Sequence, residues 1–179
     1  RGASGQGGLV LPIRPTNLAA ADALYRHPAY FLDWRLANSA LEGLANPGVF
    51  DLPTCLTQVV AINSLYSTHL YAVVRMARHI HQHLTKHPSR QFDPSLVPLL
   101  SVLPENTENR RIRRHQSFAS KYCHFFVNRE FPILDSLAEE ALRADVGFVP
   151  GNPLCRYSRF SETFVKLRET LDCSVQELD

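Results

Sequence analysis

The sequence predicts an all-α protein. Apolar residues recur at three- and four-residue spacings in several separate stretches, no alternating strand-like pattern runs for more than a few residues, and proline- or glycine-bearing breaks divide the periodic stretches from one another. No internal repeat is present.

Residues 1–8 are rich in glycine and serine without periodicity, and residues 9–15 (LVLPIRP) read as an extended arm, so the folded domain is expected over 16–179. The first helix begins at Thr16 or Asn17, both good caps, and runs to Arg26 before Pro28 stops it. A second helix is predicted over 29–45, with Tyr30, Phe31, Trp34 and Leu41 on and around one face; Asp33, Trp34 and Arg35 could form a pocket wall, but such a group is more often a buried aromatic with a surface ion pair, and that reading is preferred. A third segment starts at Thr54 and leads to Tyr66. A fourth helix, over 68–84, carries Leu70, Val73, Val74, Ala77 and Ile80 as its stripe. His79, His83 and His87, with His81 between, read as a solvated polar face, since no carboxylate or cysteine accompanies them as a metal ligand set would require.

Pro94 opens a short helix over 95–103, and a connection follows to residue 114. Phe118, Tyr122, Phe125 and Phe126 predict a helix over 117–126, then a polar turn over 127–130. Pro132 excludes helix from residues 131–135, which run extended into Asp135, an aspartate at the mouth of the next helix, 136–144. After a loop over 146–153, a final amphipathic helix over 156–171 turns Phe160, Phe164, Leu167 and Leu171 inward.

At 179 residues, with 45% hydrophobic and 20% charged residues, the chain is an ordinary globular protein with room for one substantial core or two small helical lobes around a cleft. A formal net charge of +2 is too small to announce nucleic acid, so any DNA-binding surface must come from clustering. Cysteines 55, 123, 155 and 173 form no C-x-x-C pair and read as free, mostly buried thiols of a reducing compartment. No apolar run of membrane-spanning length and no signal-peptide pattern is present, and a cytoplasmic, monomeric protein is expected.

The clustering occurs at one place. Arg110, Arg111, Arg113, Arg114 and His115, followed by Gln116, crowd the start of the helix at Ser117, where backbone N–H groups and the helix dipole favour a phosphate. A carboxylate near such an anion site is suited to face positive charge developing on a sugar held by that phosphate.

Ser117-x-Ala119 and the run Phe131-Pro132-Ile133-Leu134-Asp135 resemble the catalytic core of the helix-hairpin-helix base-excision DNA glycosylases, and the motif is most similar to their adenine-mismatch branch. A second patch, Leu65-x-x-Thr68 with Val73 and Val74, resembles the helix of that family that packs beside the lesion pocket. The resemblance implies a helix-hairpin-helix fold, duplex DNA with a flipped-out nucleotide as partner, and Asp135 as the catalytic carboxylate. Ser117, where bifunctional relatives place lysine, marks a monofunctional enzyme. Thr68 and the arginine run would contact DNA, and Tyr66 would fill the gap or line the pocket. Apart from the resemblance, Tyr122, His124 and Asn128 could contact a base or phosphate, although aromatic residues at this spacing are more often core. Relatives turn their hairpin with two glycines, whereas this chain has Ile112-Arg-Arg-His-Gln116; an atypical hairpin is expected, with arginine side chains gripping the phosphate. The cysteine spacing matches no iron–sulfur set, so neither cofactor nor metal is expected.

Cleaving an N-glycosidic bond drives the deoxyribose toward an oxocarbenium ion, which an ionised aspartate stabilises before orienting the attacking water. The nucleotide must leave the stack first. The excised base is left open among damaged, mismatched and hypermodified bases, including the modified cytosines of phage DNA, which would make the enzyme a defence protein. Lys121, one helical turn beyond Ser117, offers a rival chemistry in which a desolvated amine attacks C1′ and nicks the strand as an AP lyase, although a phosphate-contacting or structural lysine is the preferred reading. From other classes, the chain could be a non-catalytic DNA-binding module or a helical protein-interaction domain. The arginine cluster predicts DNA affinity that falls steeply as salt is raised, and titrations at several ionic strengths check this; an interaction domain would show no such affinity.

Overall fold

The computed structural model describes residues 13–45, 49–87, 90–103 and 114–173. Among these, eight α-helices form: α1 (Pro15–Arg26), α2 (Leu32–Gly43), α3 (Leu52–Leu65), α4 (Val73–Lys86), α5 (Leu96–Ser101), α6 (Gln116–Tyr122), α7 (Ser136–Val146) and α8 (Arg156–Leu171). A π-helical turn, Cys123–Val127, continues α6, and no β-strand forms among the described residues. The all-α expectation holds. None of the described helices is long and apolar enough to cross a membrane.

The core is built around α6. Gln116, Phe118, Ala119, Ser120, Lys121 and Tyr122 are all buried there, so this short helix is enclosed on nearly every side. It packs against α3 and α5, and α3 packs in turn against α4. Cys55, Val59 and Ile62 of α3, Met76, Ala77, Ile80 and Leu84 of α4, and Tyr157 and Phe160 of α8 join the same apolar cluster. Each large side chain buried in it contributes about 1.5–3 kcal/mol of transfer free energy.

Local chemistry sets the helix boundaries. Asp51 caps α3 by accepting the Thr54 N–H at 2.8 Å, with Pro53 in the first turn, where its missing N–H costs nothing. Gly147, at φ +67°, closes α7 in the left-handed conformation. The π-helical turn ends with the Asn128 N–H donating to the Cys123 carbonyl at 2.9 Å, five residues back, so one extra residue is fitted into the turn. Phe125 and Phe126 are both buried as a result.

Several expectations need correction. Helix α2 starts at Leu32, because Phe31 before it sits at φ 52°. Trp34 is 49% exposed, and the Arg35 guanidinium donates to the carbonyls of Arg26 and Pro28. Residues 68–72 are not helical: α4 starts at Val73, and Val74 is exposed. His87 is exposed and His83 half-buried, but His79 and His81 do not belong to a solvated face. His79 is buried and donates through Nε2 to the Leu99 carbonyl at 3.1 Å, and His81 donates through Nδ1 to the Phe50 carbonyl at 2.6 Å; chain segments crossing α4 supply acceptors that the rings satisfy. Of the four cysteines, Cys55 and Cys123 are buried and Cys155 is exposed. The hairpin connection, including Arg110, Arg111 and Arg113, lies outside the described residues.

His124 sits in the π-helical turn, 5% exposed, donating through Nδ1 to the Phe131 carbonyl at 2.8 Å. Burial pushes its pKa down to about 4. The unfolded chain therefore binds this proton at higher pH than the folded one, and stability falls as pH drops from about 6.5 toward 4. An acid titration of thermal unfolding is expected to show this loss, up to a few kcal/mol, and His124→Asn, which keeps a donor near the Nδ1 position but does not titrate, is expected to flatten it.

Candidate active site

Residues 131–135 run extended with no strand among the described residues to pair with, so their backbone groups need partners elsewhere. Side chains supply them. His124 donates to the Phe131 carbonyl, the Tyr157 hydroxyl donates to the Pro132 carbonyl at 3.1 Å, and the Ser120 hydroxyl accepts the Leu134 N–H at 3.0 Å. Downstream, Arg156 at the start of α8 forms a bidentate ion pair with Glu139 in the first turn of α7, with Nε to Oε1 at 2.7 Å. The lead-in to α7 is therefore held on both sides.

Asp135 stands at the end of this lead-in and divides its two oxygens. Oδ1 caps α7 by accepting the Ala138 N–H at 2.9 Å, while Oδ2 faces Lys121 Nζ at 3.9 Å. The Asp135 side chain keeps 33% of its surface exposed and that of Lys121 only 4%. Lys121 Nζ also donates to Ser117 Oγ at 3.1 Å and lies 5.2 Å from the centre of the Tyr66 ring. At 3.9 Å the charge pair is not a hydrogen bond. Its gross attraction is about 4 kcal/mol at an effective dielectric of 20, against a burial cost of several kcal/mol for the ammonium, which the hydroxyl and the ring face help to offset. Ser117, Lys121 and Asp135 thus meet, as the four-residue spacing of the first two predicts.

Tyr66 roofs this cluster. Its hydroxyl donates to Asn38 Oδ1 at 2.5 Å, and Asn38 Nδ2 donates onward to the Tyr25 hydroxyl at 3.0 Å, which ties α1 and α2 to the end of α3. The ring packs between Trp34, 5.5 Å away, and Phe125, 6.0 Å away. Phe31, Ser67 and His69 carry φ values of 52°, 47° and 54°, a conformation costly for residues with a Cβ, so the backbone is strained on both flanks of the Trp34–Tyr66 pair.

The other sequence candidates are not all found at this cluster. Tyr122 is fully buried and donates to Gln58 Oε1 at 2.6 Å, and burial raises its pKa well above the ordinary phenol value. His124 is committed to the Phe131 carbonyl. Both belong to the core, because the helix that carries them is enclosed. The Thr68 hydroxyl donates to Asn63 Oδ1 at 2.8 Å inside the turn after α3. Gln116, 3% exposed, donates to the Pro153 carbonyl at 2.9 Å and does not face outward. Arg114 forms an antiparallel bridge with Val102, and the His115 N–H donates to the Ser101 carbonyl at 2.9 Å. Sequence reasoning missed Asn38; its place one helical turn after Trp34 was the available signal. Asp135→Asn keeps a capping oxygen and removes only the charge that faces Lys121, whereas Asp135→Ala removes both, so Asp135→Ala is expected to be less stable than Asp135→Asn by about 1 kcal/mol, as thermal unfolding would measure.

Among known proteins, a family model named HI_0787_N and described as an N-terminal domain matches residues 23–131, more than half of the chain. The matched stretch holds Trp34, Asn38, Tyr66, Ser117 and Lys121 and ends before Asp135. No curated protein and no solved structure matches. The chain belongs to the HI_0787_N family.

Proposed function

We propose that the protein is a DNA glycosylase that hydrolyses the N-glycosidic bond of a flipped-out nucleotide. The observation that carries this reading is a half-open carboxylate, Asp135, fixed at the end of a clamped lead-in with one oxygen engaged as a cap and the other turned toward a buried lysine. A carboxylate in that position suits an oxocarbenium ion: the sugar approaches the exposed side of Asp135, the C1′–N bond breaks with its electron pair leaving on the base, and the fixed negative charge stabilises the cation until water adds. Lys121 faces the second oxygen of Asp135 at 3.9 Å. DNA is the partner, and the basic run ahead of α6 is its phosphate contact.

The proximity of Lys121 to Asp135 favours a second reading, an AP lyase activity. The Nζ lone pair would attack C1′, the base would leave with the bonding pair and take a proton, and the ring would open to a Schiff base. Hydrolysis is the first reading because Lys121 Nζ is enclosed by Ser117, Asp135 and Tyr66.

Base release from a panel of DNAs carrying oxidised, deaminated, mismatched and modified bases, read by mass spectrometry, tests both. Asp135→Asn is expected to stay folded, bind DNA and lose release by a factor on the order of 10²–10³. Borohydride is expected to leave no covalent complex; a cross-link lost in Lys121→Gln would establish the lyase. Silence across the panel with DNA still bound would replace the enzyme reading with a binding module.

A further inference from the structure

We propose that Trp34 and Tyr66 form a stacking platform that receives an unstacked nucleobase beside Lys121 and Asp135. This rests on the glycosylase reading and deepens it by naming the side chains that take the face of the base.

Trp34 remains 49% exposed although it sits on a helix packed against the core. Tyr30 and Phe31, just before it, are 52% and 51% exposed, and with the similarly exposed Leu32 and Leu36 they make this outward face apolar, with three aromatic rings in five residues. The rings also lead somewhere. Trp34 contacts Tyr66, and Tyr66 lies over the Lys121 ammonium that faces Asp135, giving a continuous path of contacts from solvent to the carboxylate. Tyr66 does not swing freely, because Asn38 holds its hydroxyl and Tyr25 holds Asn38. The two rings meet at 60°, so Trp34 does not spend its face on Tyr66 in a parallel stack. A preset, half-open indole next to a charged site matches the need of a planar heterocycle leaving a base stack, since every base presents a π-face and ring stacking does not depend on its identity. Left-handed backbone at Phe31 and Ser67 flanks the pair.

Trp34 is the only tryptophan in the sequence, so indole emission, excited selectively over the six tyrosines, reports this site alone. The probe is a duplex with one extrahelical base, compared with the same duplex carrying a tetrahydrofuran spacer at that position; Asp135→Asn prevents turnover, and anisotropy of a labelled strand reads binding. Emission is expected to be quenched by the base-bearing duplex and not by the spacer duplex. Trp34→Ala is expected to weaken binding of the first on the order of tenfold without changing the second, and Trp34→Phe to restore most of it. Equal quenching by both duplexes, or none while both bind and the wild type releases base, would overturn the platform and leave the glycosylase reading standing. Binding of neither duplex would overturn both, and this aromatic face would then be a surface for protein.

Discussion

Proline at position 132 gives the segment before α7 no choice but to run extended, yet no neighbouring strand among the described residues is there to receive it. The Phe131 N–H and the Asp135 carbonyl find backbone partners, and the buried groups between them turn to side chains. His124, Ser120 and Tyr157 answer that need from three positions on two helices. The position of Asp135 follows from this satisfaction of backbone polarity. If any of the three partners were lost, a buried group would be stranded and the lead-in would shift before the carboxylate itself was touched.

The second constraint is electrostatic. A lysine enclosed as Lys121 is would be intolerable in an apolar setting, and its surroundings are built to hold it: a hydroxyl one turn earlier, a carboxylate across the gap and the face of an aromatic ring. Each comes from a different part of the chain. Ser117 lies on the same helix, Asp135 follows the lead-in, and Tyr66 ends α3, held by Asn38 of α2. The charge thus makes the relative placement of four segments a single problem with one solution.

Much of this was legible where the physics is local. The aspartate before a helical pattern, the proline that forbids helix, and the shared face of Ser117 and Lys121 all follow from spacing, and the all-helical architecture follows from periodicity. Reasoning failed where side chains compete with the backbone. Residues 68–72 carry a helical pattern, but the Asn63 side chain accepts the Leu70 N–H at 2.8 Å and donates to the Leu70 carbonyl at 3.0 Å, substituting for the bonds a helix would make. Trp34 was misjudged because composition favours burying indole, and only the tertiary arrangement shows a helix edge left uncovered. Tyr122 and His124 were drawn toward the pocket by their neighbours in sequence, whereas α6 is enclosed on every side that carries them.

The π-helical turn after α6 has a consequence for how this protein can change. The widened turn holds one residue more than regular α-winding fits, so removing one residue would narrow it and move the side chains it carries to new positions around the helix. Phe125 would turn away from Tyr66, and His124 from the carbonyl it holds. The geometry around Asp135 is therefore tied to the length of one helix more tightly than to the composition of that helix. Substitution could drift through the surrounding core while a single codon deletion, conservative in every chemical sense, would dismantle the arrangement.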